Sequence, residues 1–185
     1  MKKILFILYL AVLSQAQIIE SSGDVLVNGM LLKKSKEIKQ GDVVETKSKS
    51  RVRFNIGKDA FSARANTKFK LDKVGKTRVL NVVNGGVMAV FGKGKHAIAT
   101  PNMTAGIRGT GTFTLVRDNK TYFCTCYGHT VIDAHGEQKE LKATYHNMVW
   151  VTPTKIKPTM DMENHTDMEL RKLEAMVGRK VPFDH

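Results

Sequence analysis

Two cysteines separated by one residue, Cys124 and Cys126, carry the sharpest chemical signal in the sequence, in the run Tyr122-Phe123-Cys124-Thr125-Cys126-Tyr127-Gly128. In an extended strand, residues two apart project from one face with their Cα atoms about 7 Å apart. Two thiolates on one face supply half of a tetrahedral zinc site or of a soft Cu(I) site. His146, next to Tyr145, is the imidazole expected to join them, with His129 and His135 as rivals. Two other states stand beside the metal reading: a disulfide, if the compartment is oxidising, and plain core-facing thiols. The strand spacing lies near the upper limit for a disulfide, so that bond requires a bulge or turn at Thr125. A thiol-exchange enzyme is disfavoured, because its pair belongs at a helix N-terminus that stabilises the thiolate.

Met160, Met162, His165 and Met168 form a second group in which thioethers flank an imidazole. That chemistry suits Cu(I), while the plainer reading is an adaptable apolar contact. Gly106-x-x-Gly109-x-Gly111 resembles a phosphate loop only superficially, since it leads into a strand and no helix N-terminus follows to receive phosphate. Arg108, between Gly106 and Gly109, is expected to lock a sharp turn by bonding nearby carbonyls. No serine-nucleophile motif or histidine-rich zinc helix appears, so the expectation is a chain that is not an enzyme, with no catalytic residue assigned.

The elements that must position these residues read as β structure. From Gly23 to about Val151, short runs alternate with period two and are broken by turn residues every dozen or so positions. Asn28-Gly29 is the strongest hairpin signal, and Gln40-Gly41-Asp42, Gly57-Lys58-Asp59, Gly75-Lys76 and Asn84-Gly85-Gly86 mark further turns. Val52, Phe54 and Ile56 alternate with Arg51, Arg53 and Asn55, giving one buried and one polar face. The fold class expected is all-β, with short antiparallel strands in a sandwich or a β-roll, over residues 22–151. Residues 152–165 read as a proline-punctuated linker, and residues 166–178 as a short C-terminal helix. Thr166 and Glu169 make a capping box, Leu170, Leu173, Met176 and Val177 share one face, and Gly178 and Pro182 stop the helix.

At the N-terminus, Lys2 and Lys3 precede an apolar run from Ile4 to Leu13 and the small residues Ser14 and Ala16. That is the pattern of a signal peptide over residues 1–16, cut after Ala16, and implies a periplasmic or secreted protein. Its apolar run is too short to span a bilayer, and no other long apolar run follows, so no transmembrane segment is expected after cleavage. Removing it leaves 169 of 185 residues and lowers the formal charge from +13 to about +11. For an exported chain such a surface points to an acidic envelope component or an envelope protein and away from nucleic acid. Alternatively, Lys33, Lys34, Lys36, Lys39, Lys47 and Lys49 keep sheet edges soluble.

The run Ile98-Ala99-Thr100-Pro101-Asn102-Met103-Thr104-Ala105-Gly106-Ile107-Arg108-Gly109-Thr110-Gly111-Thr112-Phe113 resembles the closing segment of FecR domains. Gly41 to Thr46, the alternating Arg51 to Ile56, and Val83-Asn84-Gly85-Gly86-Val87 look like that family's earlier turns in the same order, so the resemblance covers roughly residues 22–118. It implies an exported, stand-alone β-rich module used for sensing or protein contact. In that setting Gly106, Arg108, Gly109 and Thr110 form the family's motif turn. The Cys124-Thr125-Cys126-Tyr127-Gly128 segment followed by histidine resembles one in some exported members of the family, which implies the ligand set Cys124, Cys126 and His146.

Overall fold

Asn28 and Gly29 reverse the chain between β2 (Val25–Val27) and β3 (Met30–Leu31) with φ of 53° and 77°, the left-handed conformation that this pair accepts at low cost. Gly57-Lys58 does the same between β5 (Arg51–Ile56) and β6 (Asp59–Ala63), and Gly75-Lys76 between β7 (Lys68–Val74) and β8 (Thr77–Val90). The computed structural model describes residues 17, 19–33 and 36–184; the expected signal peptide and Lys34 lie outside the described residues. The remaining strands are β1 (Ile19–Ser22), β4 (Val43–Thr46), β9 (His96–Ala99), β10 (Thr104–Arg117), β11 (Lys120–Ala134), β12 (Glu137–Ala143), β13 (Asn147–Val151) and β14 (Ile156–Thr159), followed by the helix α1 (Asp167–Met176).

The molecule is all-β with one short helix, and its described strands belong to a single 14-stranded sheet. Pairing is antiparallel apart from β8 with β9, which run parallel. Not every strand is short: β8, β10 and β11 are 14, 14 and 15 residues long. Each changes partners along its length. The first half of β8 pairs with β7 and β9, and its second half with β6 and β10. Likewise β11 pairs with β13 near its start and β12 near its end.

The expected turn at Asn84-Gly85-Gly86 is therefore a kink inside β8. Gly85 has φ +81°, and an added Cβ would lie 2.5 Å from the Thr67 Cα, so only glycine lets β8 pass this closely. The stretch 152–165, expected as linker, contains β14, which pairs with β13. The sheet also begins before residue 22, since β1 pairs with β5 from Ile19 onward.

Apolar side chains collect on the two faces of the long strands. One cluster gathers Phe54, Phe61 and Phe69 with Leu80, Ile98, Phe123 and Ile132; the first two rings stack at 5.2 Å between centroids. The other holds Phe113, Tyr122, Cys124, Cys126 and Met148 under Leu170, Leu173 and Val177 of the C-terminal segment. The second half of β10 and the first half of β11 are thus buried on both faces, which explains their continuous apolar and threonine runs.

Local chemistry starts α1 and packing holds it. Thr166 and Glu169 make both bonds of the capping box, and Asp167 and Glu169 lie at the positive end of the helix dipole. Leu170 and Leu173 are fully buried, each contributing about 1.5–3 kcal/mol relative to exposure. Arg64 clamps Glu169 with bonds of 2.7 and 2.6 Å and lies over the Phe113 ring. Buried Glu174 accepts from the Tyr127 hydroxyl and, at 2.6 Å, from Arg179 Nε. Gly111 must be small here, because a Cβ would meet the Tyr127 ring at 2.5 Å and the Leu170 Cδ1 at 2.9 Å.

Candidate metal centre

The pleat of β11 points Cys124 and Cys126 to the same face, and both are fully buried beneath the C-terminal segment. Their neighbours across the sheet are Phe113 on β10 and Met148 on β13, each opposite Cys124. The turn between β12 and β13 then brings in His146. Its backbone N–H donates to the Cys126 carbonyl at 3.0 Å and its φ is +34°, an unusual conformation that folds the imidazole back over the strand. His165 arrives from the segment just before α1. Its ring stacks on Phe113 at 4.6 Å between centroids and lies 5.4 Å from the His146 ring.

One ligand atom from each of Cys124, Cys126, His146 and His165 lies within 4.8 Å of the other three. The outer nitrogen of each imidazole is held, which fixes the tautomer. His146 Nε2 donates to Asp167 Oδ1 at 2.9 Å, leaving the Nδ1 lone pair turned to the sulfurs, 3.2 Å from Cys124 Sγ. His165 Nδ1 donates to the Glu163 carbonyl at 2.8 Å, so its Nε2 carries the lone pair; that atom is buried without a hydrogen-bond partner. A carboxylate or carbonyl behind each ligating histidine is the usual outer support of a metal site.

The electrostatics favour a cation. Burial alone would raise the Cys126 thiol, but the side chains of Cys124, His146 and His165 around it outweigh burial and hold Cys126 well below the ordinary thiol range. Cys124 is pushed well above that range by burial and by the neighbouring Cys126 sulfur. Burial would lower His146, yet Cys126 and Asp167 raise it. A divalent cation among these atoms would take two thiolates and two neutral imidazoles, the Cys₂His₂ set of tetrahedral structural zinc. All four positions are supplied by the protein, and aromatic rings of Phe113, Tyr122, Tyr145 and Phe183 enclose the histidines.

The structure thus gathers Cys124, Cys126 and His146, the three residues expected from the sequence, and adds His165. The rivals lie elsewhere: His129 pairs with Glu140 at 2.6 Å and His135 bonds the Thr152 carbonyl at 2.8 Å. The proposed thioether group does not assemble as a buried cluster, because Met160 and Met168 are 91% and 63% exposed while His165 is buried. Sequence periodicity could not join His165 to Cys126 across 39 positions; the sequence singled it out only as the imidazole beside Met160, Met162 and Met168.

The motif turn differs from expectation. Residues 106–110 run through β10 as a bulge, with the pairing to β11 shifting between Arg108 and Gly111 and with Gly109 at φ +57°. Because the chain does not reverse there, Arg108 is exposed opposite His129 instead of bonding turn carbonyls. Thr110 is fully buried beside the bulge.

No protein-family model matches this chain, and no curated protein matches it in sequence. Its fold is similar to two crystal structures of a candidate anti-sigma factor from Parabacteroides distasonis ATCC 8503, with TM-scores of 0.59 and 0.58 at 9% identity. The match takes in 70% of this chain and 64% of that protein, so less than two thirds of the neighbour is spanned. At this identity the likeness is one of fold.

Proposed function

We propose that this protein is a non-catalytic, zinc-binding β domain of the cell envelope that acts through protein contacts as a sensing or regulatory module. The observation that carries the zinc part is the closed Cys124, Cys126, His146 and His165 set, with Asp167 and the Glu163 carbonyl fixing its imidazoles. A site with four protein ligands leaves no position for substrate, which favours a structural over a catalytic ion. The FecR-like sequence segments, the signal-peptide pattern and the fold shared with a candidate anti-sigma factor support the sensing and envelope parts. No helix among the described residues is long and apolar enough to cross a membrane.

The ion would join three separate pieces of chain: β11, the β12–β13 turn and the segment leading into α1. Zinc therefore helps decide whether the C-terminal segment stays docked on the sheet. Elemental analysis with thiol counting on protein purified from the periplasm without chelator tests this reading. One zinc per chain with two titratable thiols after denaturation is expected. A Cys124–Cys126 disulfide and no metal would replace the zinc reading with a redox-closed core, and copper at one per chain would change the metal.

A further inference from the structure

A groove of about 530 Å³ lies on the outer face of β9, β10 and β11, away from the cysteines, and none of its ten lining residues is acidic. Its floor is Ala97, Gly106 and Val131, which sit side by side across the three strands. Along one side run two cations and a histidine. Arg108 is opposite His129, and continuing the β9–β10 register by one residue sets Lys95 opposite Arg108. His129 is engaged by Glu140, but no ion pair among the described residues takes Lys95 or Arg108. The wall includes Thr77 and the buried His96, whose Nε2 bonds Asp59 at 3.1 Å and whose Nδ1 is buried with no hydrogen-bond partner.

Gly106 is the telling residue. Its backbone is not left-handed, and the nearest atom to an added Cβ is the Val131 carbonyl oxygen at 4.0 Å, so packing and conformation both tolerate a side chain. Glycine in a strand marks a bulge, a bend or a place where another group approaches the backbone closely, and the left-handed residue of this bulge is Gly109 at φ +57°, not Gly106. A side chain here would fill the floor of the groove.

We infer that this groove binds a phosphate ester, with Arg108 and Lys95 neutralising the phosphate and Gly106 leaving room for it against the strand. Two unpaired cations match an ester phosphate, which carries one negative charge as a lipid diester and about −1.5 to −2 as a free monoester at neutral pH. The planar guanidinium of Arg108 offers paired donors for two of its oxygens. The aliphatic floor receives the carbon part of the ester. The source is a free metabolite or a lipid headgroup, and both present this chemistry.

The test is calorimetric titration of the metal-loaded protein with glycerol 3-phosphate at low ionic strength, beside co-sedimentation with phosphatidylglycerol and phosphatidylcholine vesicles. Saturable binding in either arm is expected: glycerol 3-phosphate alone points to a free ester, and selective sedimentation with phosphatidylglycerol to a headgroup. Arg108→Ala, Lys95→Ala and Gly106→Val should each weaken it roughly tenfold or more, as loss of a charge-assisted bond or of the space does. Lys49→Ala, which removes one charge elsewhere, should not, and Gly106→Val should melt no lower than the parent. Absence of saturable binding in both arms, wild-type affinity in Gly106→Val, or an equal loss in Lys49→Ala would overturn the inference.

Discussion

At the scale of single residues, the centre depends on atoms that cannot be exchanged for near neighbours. Cys126→Ser should abolish stoichiometric metal binding, because a hydroxyl remains protonated where a thiolate is needed. Asp167→Asn keeps all four ligands and the helix start but weakens the hold on His146; loss of an outer partner of this kind lowers metal affinity roughly 10–100-fold. Competition with a chromophoric chelator measures that loss, and unchanged affinity would show that Asp167 serves the helix alone. The pH dependence follows from the same atoms. In the metal-bound state both thiols are held as thiolates, far below the value of about 8.5 of an unfolded chain. Their contribution is thus complete above that value and is lost as pH falls, with protons returning to sulfur as the ion leaves. The melting temperature of metal-loaded protein should fall on acidification more steeply than that of Cys126→Ser.

At the scale of elements, α1 is held by three independent means: its cap, its apolar face and the centre beside its first turn. Thr166→Ala removes the hydroxyl that accepts from the Glu169 N–H and should cost about 0.5–2 kcal/mol in denaturant unfolding. Leu173→Ala opens a cavity under the helix and should cost about 2–5 kcal/mol. Chelation acts differently. It should raise hydrogen exchange in residues 163–177 while β5, β6 and β8 keep their protection, since the cluster around Phe54 and Phe69 makes no use of the centre. The helix was legible in the sequence because Thr166, Glu169, Leu170 and Leu173 obey local rules. The long strands were not. Gly85 and Gly109 carry the same left-handed preference that makes hairpins elsewhere, and only tertiary pairing shows that β8 and β10 bend there without reversing.

At the scale of the whole molecule, one sheet presents three surfaces with separate tasks: a packed core, a face closed by the C-terminal segment and its centre, and an outer basic groove. The alternation of Val52, Phe54 and Ile56 and the Cys124–Cys126 spacing announced the first and half of the second. His165 was hidden because its partners are far away in sequence, and Arg108 was misread because a bulge and a turn ask for the same glycines. If an ion docks the C-terminal segment as proposed, overall stability depends on metal concentration. Stability should rise as the logarithm of free zinc above its dissociation constant. The most direct test of the account is native mass spectrometry of the reduced chain, residues 17–185, with added zinc, alongside His165→Ala. The account predicts one tightly held zinc per chain that His165→Ala loses or holds far more weakly. A chain that takes up no zinc when both thiols are free, or one whose zinc affinity is unchanged in His165→Ala, would contradict it.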